Sequence, residues 1–172
     1  MIMINLLAKQ TQSAYDWTNR LVDSIPQEKW DVLPDTVEST ISWQVGHLIV
    51  SFYYHSVMVI VGHQKDVFPE VPLQVYDKLF TSADPEKSIG KTNPGELRKH
   101  LTFLQQKSIS VIKSLDESEL ERELEPTPRS HPIAKTKFDA LDWNIKHTMW
   151  HCGQIAILKR LVDHRFDFGL FI

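Results

Sequence analysis

Lys146-His147-Thr148-Met149-Trp150-His151-Cys152-Gly153-Gln154-Ile155 carries two histidines four residues apart. In a helix, positions i and i+4 share a face one turn apart, so these two imidazoles can hold one metal ion. A third histidine stands a hundred residues earlier, in Trp43-Gln44-Val45-Gly46-His47-Leu48. Supplied from a second helix, it would complete a facial trio. Three protein ligands leave positions open for water or substrate, as in catalytic zinc sites. Thr148 stands where a His-Glu-x-x-His motif has its glutamate, so the general base of zinc peptidases is missing and a peptidase is disfavoured. The face of the pair also carries Asn144 and Gln154, with Ala140 and Leu158 at its ends. A polar centre between apolar ends reads as a buried polar site, whose groups need partners. A metal ion is one solution; satisfied core histidines are the other.

The helix around this segment begins near Thr136. Thr136-Lys137-Phe138-Asp139 resembles a capping box with aspartate in the glutamate position, and the pattern continues to about Asp163. Three more long helices are expected. The first covers roughly Ile4 to Ser24, with Leu6, Leu7, Tyr15, Trp17, Leu21 and Val22 near helical spacing and Pro26 beyond its end. The second runs from about Ile41 to Val61, capped by Ser39 or Thr40 and stopped at Gly62. The third runs from Pro94 or Gly95 to Leu115, with Pro94 suited to the first turn. Residues 62–95 form a long crossover with one short helix near Leu73–Phe80. Residues 116–136 form a polar linker: an acidic helical turn, then Pro126-Thr127-Pro128-Arg129-Ser130-His131-Pro132, which cannot be regular helix. The reading is an all-α four-helix bundle, one domain over residues 1–172. All three connections are long, so a simple up-down-up-down order does not follow. The apolar tail Arg165–Ile172 is expected to fold back on the core or to form a subunit interface.

At 172 residues the chain can bury one sizeable core. Its net charge of -3, without a basic stripe, argues against nucleic-acid binding through phosphates. With one cysteine, Cys152, no internal disulfide forms, which fits a reducing cytoplasm. The N-terminus lacks the charged start of a signal peptide. The apolar stretch Leu48–Val61 is shorter than the ~20 residues of a membrane span and is expected to be a core helix, so no membrane role is expected.

Of the eight histidines, His63, His100, His131 and His164 are expected on the surface. His55 follows His47 by eight residues, a rotation of about 80° beyond whole turns, so it should sit off the His47 face as a core histidine or an outer partner. Cys152 should point away from the pair as a small buried hydrophobe. Trp43 and Trp150 are expected in the core or as a pocket wall, and either Tyr53 or Tyr54 at the site. Gly46 costs roughly 1 kcal/mol relative to alanine inside a helix, which points to close helix packing or to space for a ligand beside His47. Asp142 and Glu38 are the nearest candidate bases, and neither is well placed; no catalytic residue is assigned.

Three segments resemble the DinB-like superfamily, which includes the YfiT-type proteins. Ser39-Thr40-Ile41-Ser42-Trp43-Gln44-Val45-Gly46-His47-Leu48 is similar to the family's start of helix two. His147-Thr148-Met149-Trp150-His151-Cys152-Gly153-Gln154-Ile155 is similar to its His-x-x-x-His-x-Gly-Gln-Ile, and Leu158-Lys159-Arg160-Leu161 to its Leu-(Lys/Arg)-Arg ending. The resemblance implies a four-helix bundle whose divalent metal, zinc or nickel foremost, is bound by His47, His147 and His151. It also implies a homodimer and a metal-dependent enzyme of small molecules. Thiol-dependent S-transfer, with a low-molecular-weight thiol as partner, is the leading activity. Metal-dependent hydrolysis and a non-enzymatic, metal-stabilised binding or stress protein are the alternatives.

Overall fold

A computed structural model describes residues 2–82 and 84–169. Five helices account for most of them: α1 (Ile2–Asp23), α2 (Ile41–Val61), α3 (Leu73–Phe80), α4 (Pro94–Ser114) and α5 (Lys137–Val162). No strand occurs among the described residues; Glu123 and Thr136 form an isolated antiparallel bridge.

Each long helix follows from its pattern and its cap. Buried Ile4, Leu7, Ala8, Thr11, Ala14, Tyr15, Thr18, Leu21 and Val22 step along α1 at intervals of three and four, the spacing of one helical face. The Thr40 hydroxyl accepts the Trp43 backbone N–H at 3.0 Å and opens α2. Asn93 accepts the N–H groups of Gly95 and Glu96 ahead of α4, with Pro94 in its first turn. Thr136 and Asp139 form the reciprocal capping box of α5. Gly62 ends α2 at φ +77°, where a side chain would be strained. The acidic turn appears as a 3-10 turn at Glu117–Glu119, boxed by Asp116.

The bundle order is not sequential. α1 packs mainly against α4 and α5, and α2 against the same two helices. So α1 lies diagonal to α2, and α4 diagonal to α5. The α1–α2 and α4–α5 connections therefore cross the bundle, whereas the long α2–α4 connection joins neighbouring helices and carries α3. α3 lies on α2. A buried hydrogen-bond chain sets α5 against its neighbours: Asn144 Nδ2 donates to Tyr15 Oη (3.0 Å), and Tyr15 Oη donates to Ser108 Oγ (2.8 Å).

α2 has the length and hydropathy to cross a membrane, yet 72% of that window is buried within the protein. Leu48, Ile49, Phe52 and Val57 are fully enclosed, which makes α2 the core helix. The tail returns to α1: Phe168 packs on Trp17 (5.9 Å between centroids) and Phe166 lies against the core. Leu170, Phe171 and Ile172, the end of the expected apolar tail, lie outside the described residues. Leu6, expected on the apolar face of α1, is 46% exposed.

Candidate metal centre

The packing of α2 on α5 brings three imidazoles together. His47, His147 and His151 each offer a nitrogen, and these nitrogens all lie within 4.8 Å of one another. His147 Nε2 and His151 Nε2 are 3.1 Å apart. Two nitrogens bonded to one ion at zinc-like lengths sit roughly 2.9–3.4 Å apart, for angles between square and tetrahedral.

Hydrogen bonds behind the rings decide which nitrogens carry lone pairs. Phe80 is the last residue of α3, so its carbonyl has no partner within that helix. It accepts His47 Nδ1–H at 2.7 Å, and a carbonyl can only accept. His47 Nε2 is therefore bare. Gln44, one turn before His47 on the same face, accepts His151 Nδ1–H on Oε1 at 2.5 Å. Its Nε2 donates to Ser39 Oγ (2.8 Å) and Gln154 Oε1 (2.9 Å), so its oxygen end is the one facing His151. His151 Nε2 is bare as well.

The cluster thus holds two lone pairs and at most one ring proton, that of His147. A cation supplies what the protons cannot, so the donor set fits a divalent metal. Buried ligand imidazoles tied at their second nitrogen are the usual outer arrangement of such centres. His147 Nδ1 is buried without a hydrogen-bond partner. Burial holds His47 below the ordinary histidine pKa, only partly opposed by the Phe80 bond. Burial, reinforced by His47, lowers His147 to about 4. Burial, then His47 and His147, lower His151 to about 2. All three are neutral near pH 7, the form that ligates.

A fourth histidine borders the trio. His55 is 7% exposed, and its ring meets that of His147 edge-on at 5.4 Å. It reaches there because α2 is not uniformly α-helical. Tyr54–Met58 form a π turn, in which the Val59 N–H reaches back five residues to the Tyr54 carbonyl. The wider turn rotates less per residue, which removes part of the 80° offset. His55 Nδ1 bonds His131 Nε2 at 2.8 Å, and Tyr54 stacks on His131 (5.5 Å, 3°). On the other side Trp43 stacks on His47 (4.9 Å, 12°), and Trp143 lies 5.8 Å from His147.

The sequence model of the DinB superfamily matches residues 10–155. The chain belongs to the DinB superfamily. A solved structure of a conserved protein from Enterococcus faecalis superposes with a TM-score of 0.68 at 14% identity, over 92% of this chain and 95% of that one. That likeness concerns the fold. No curated protein matches the chain.

In this DinB-superfamily chain the three histidines named from the sequence are the three that the fold gathers. Cys152 is buried and turned to Thr18, and burial pushes its thiol pKa up. Gly46 reflects packing: a Cβ there would lie closer than 3.0 Å to three ring carbons of Phe80. Asn144 gives its amide N–H to Tyr15 instead of to the cluster. Asp142 pairs with Lys146, and Glu38 is exposed.

Two expectations fail. His131 is not an idle surface residue; it reaches His55 because the proline-rich linker docks on the π turn. Trp150 neither lines a pocket nor enters the core: it is 61% exposed and meets Trp143 edge-on. His55 takes the outer-partner place of the two expected for it, buried and against the His147 ring. Gln44, Phe80 and Trp143 also belong to the site, beyond the residues expected there. Gln44 had a readable signal, being one helical turn before His47. A backbone carbonyl on α3 had none.

Proposed function

We propose that this chain is a metal-dependent enzyme of small molecules, with His47, His147 and His151 as the metal ligands and thiol transfer to an electrophile as its reaction. The observation that carries the reading is the pair of fixed lone pairs on His47 and His151, converging with His147 at a cluster that includes no carboxylate. When bound, a divalent ion of this type acts as a Lewis acid that lowers the pKa of a thiol or water. Zinc and nickel both suit three imidazoles.

The residues then divide the remaining work. Phe80 and Gln44 hold two rings in the ligating tautomer. Trp43 and Trp143 flank the cluster with flat apolar surface suited to an unsaturated or aromatic electrophile. In the reaction the thiol gives up its proton to solvent, and its sulfur forms a carbon–sulfur bond with the electrophile. The displaced group leaves with the bonding electron pair. A soft sulfur nucleophile needs less help from a base than water does. With Asp142 paired and Glu38 exposed, that difference favours thiol transfer over hydrolysis.

The same reading makes the protein a cytoplasmic homodimer with a low-molecular-weight thiol as partner. Exposed Met149, Trp150, Ile157 and Leu161 on α5 offer apolar surface for a second copy.

The test is a screen of metal-loaded protein against low-molecular-weight thiols with monochlorobimane as electrophile. Thiol adduct formation that chelation and His151→Ala both abolish is the expected result. Ester hydrolysis without thiol transfer would replace the reading with a hydrolase. Neither activity, with unfolding on chelation, would replace it with a metal-stabilised binding protein.

A further inference from the structure

His131 is held in one protonation state by its own loop. Its Nδ1 receives two backbone donors, Ile133 N–H at 3.2 Å and Ala134 N–H at 2.8 Å. A nitrogen that accepts two N–H groups cannot carry a proton, so the proton of the neutral ring is on Nε2. That nitrogen is 2.8 Å from His55 Nδ1, which must therefore accept. The proton of His55 is in turn forced onto its own Nε2.

The chain of constraint runs from the main chain of residues 133–134 through two rings. It ends on an N–H beside the His147 ring. Among the described residues the only side-chain hydrogen bond of His55 is the one from His131 to its Nδ1, which leaves this N–H without a protein acceptor. That leaves the His55 Nε2–H available to bond a group arriving beside the metal-ligand cluster. Tyr54 secures the arrangement. Its ring stacks on His131 and its hydroxyl donates to the Arg129 carbonyl at 3.2 Å, pinning the linker to the π turn.

We propose that His55 is a hydrogen-bond donor to the exchangeable ligand of the three-histidine centre, and that it selects ligands bearing an anionic or lone-pair acceptor atom. The inference rests on the metal-centre reading above and deepens it in two ways. First, His55 is not a fourth ligand, because its Nδ1 is engaged by His131 and its Nε2 is protonated. The centre is therefore of the open kind. Second, a ligand entering on the His55 side meets an N–H in place of a lone pair. Thiolates, carboxylates and small inorganic anions are favoured there, and cationic amines are disfavoured. His55 acts on the ligand, while His131 is a positioning residue that acts through His55.

The experiment uses the full chain loaded with Co(II), with azide as the probe anion and visible absorption as the readout. The wild type should bind about one cobalt and take up azide. His55→Phe should keep its cobalt but bind azide at least about tenfold more weakly, the loss of one hydrogen bond to a charged acceptor. His55→Gln, which keeps a side-chain N–H, should recover part of the loss. The wild type alone gives a second readout that needs no variant. Long-range nitrogen NMR of the zinc form should place the His55 proton on Nε2, and His131→Phe should let it redistribute.

Loss of cobalt in His55→Phe would overturn the proposal by making His55 a ligand. Unchanged azide affinity, or a His55 proton on Nδ1, would overturn it by removing the donor. No cobalt on the wild type would sink the metal centre and the proposal together. That failure is distinguishable from a loaded centre indifferent to position 55.

Discussion

Gly46→Ala tests the link between packing and the metal centre with one methyl group. The added Cβ would come closer than 3.0 Å to Cγ, Cδ2 and Cε2 of Phe80. That ring is fully buried, so it cannot swing into solvent. Two terms oppose each other. Alanine gains about 1 kcal/mol over glycine inside a helix, and overpacking a tight core costs about 1–3 kcal/mol. The metal-free variant should therefore be destabilised by roughly 0–2 kcal/mol in urea, despite its better helix former. The larger effect falls on the metal. Moving the ring moves the Phe80 carbonyl, and a shift of about 0.5 Å takes the 2.7 Å bond from His47 Nδ1 to the limit of a good hydrogen bond. Losing an outer partner of a ligand histidine costs about tenfold to hundredfold in metal affinity. Zinc competition against a chromophoric chelator measures this. Phe80→Leu in the Gly46→Ala background should restore part of both losses, a coupling that a double-mutant cycle reads directly. A Gly46→Ala protein that gains the full helical stabilisation and binds zinc like the wild type would refute the reasoning.

Gln44→Leu removes the acceptor of His151 Nδ1 and the bonds to Ser39 and Gln154. It should cost about 1–3 kcal/mol in urea and about tenfold to hundredfold in zinc affinity; unchanged zinc affinity would remove Gln44 from the site. The metal-free protein should be acid-sensitive in a defined window. His147, His151 and His55 are held below their unfolded pKa of about 6.5, so the unfolded chain takes up protons first as pH falls. Stability is complete above about pH 6.5 and declines toward about pH 2, and saturating zinc should push the decline to lower pH; a flat urea midpoint across that window would contradict the burial of these rings. Cys152 should resist thiol reagents in the native state and react on unfolding, because burial raises its thiol pKa; rapid native labelling would show that it is accessible. Thr136→Ala should cost about 1 kcal/mol in thermal or urea unfolding through the lost cap of α5, and no loss would mean the box is ornamental.

Local signals were readable in the chain, and distant ones were not. The cap at Ser39 or Thr40, the box at Thr136, the first-turn Pro94 and the short helix Leu73–Phe80 depend on neighbours within a few residues, so composition and spacing reveal them. The i, i+4 pair on α5 is equally local. The partner of each feature belongs to another element. Gly46 was conspicuous as a glycine inside a helix, yet Phe80, which fills its space, lies 34 residues on. The π turn at Tyr54–Met58, which brings His55 toward His147, has no distinctive composition that a sequence could show. Loop histidines are usually solvated, whereas His131 stacks on Tyr54 and bonds His55. Its bond to His55 spans 76 residues and depends on how the linker docks. Trp150 was overvalued as a core residue because large aromatics are usually buried, whereas its position on α5 faces outward.

The central claim is that His47, His147 and His151 hold a metal ion. The direct measurement is metal content by plasma mass spectrometry on untagged protein, purified without added metal or chelator, with His151→Ala prepared alongside. The account predicts close to one divalent ion per chain in the wild type and its loss in the variant, with the helical content of both retained by circular dichroism. A wild type that stays metal-free even after incubation with zinc and nickel would contradict it.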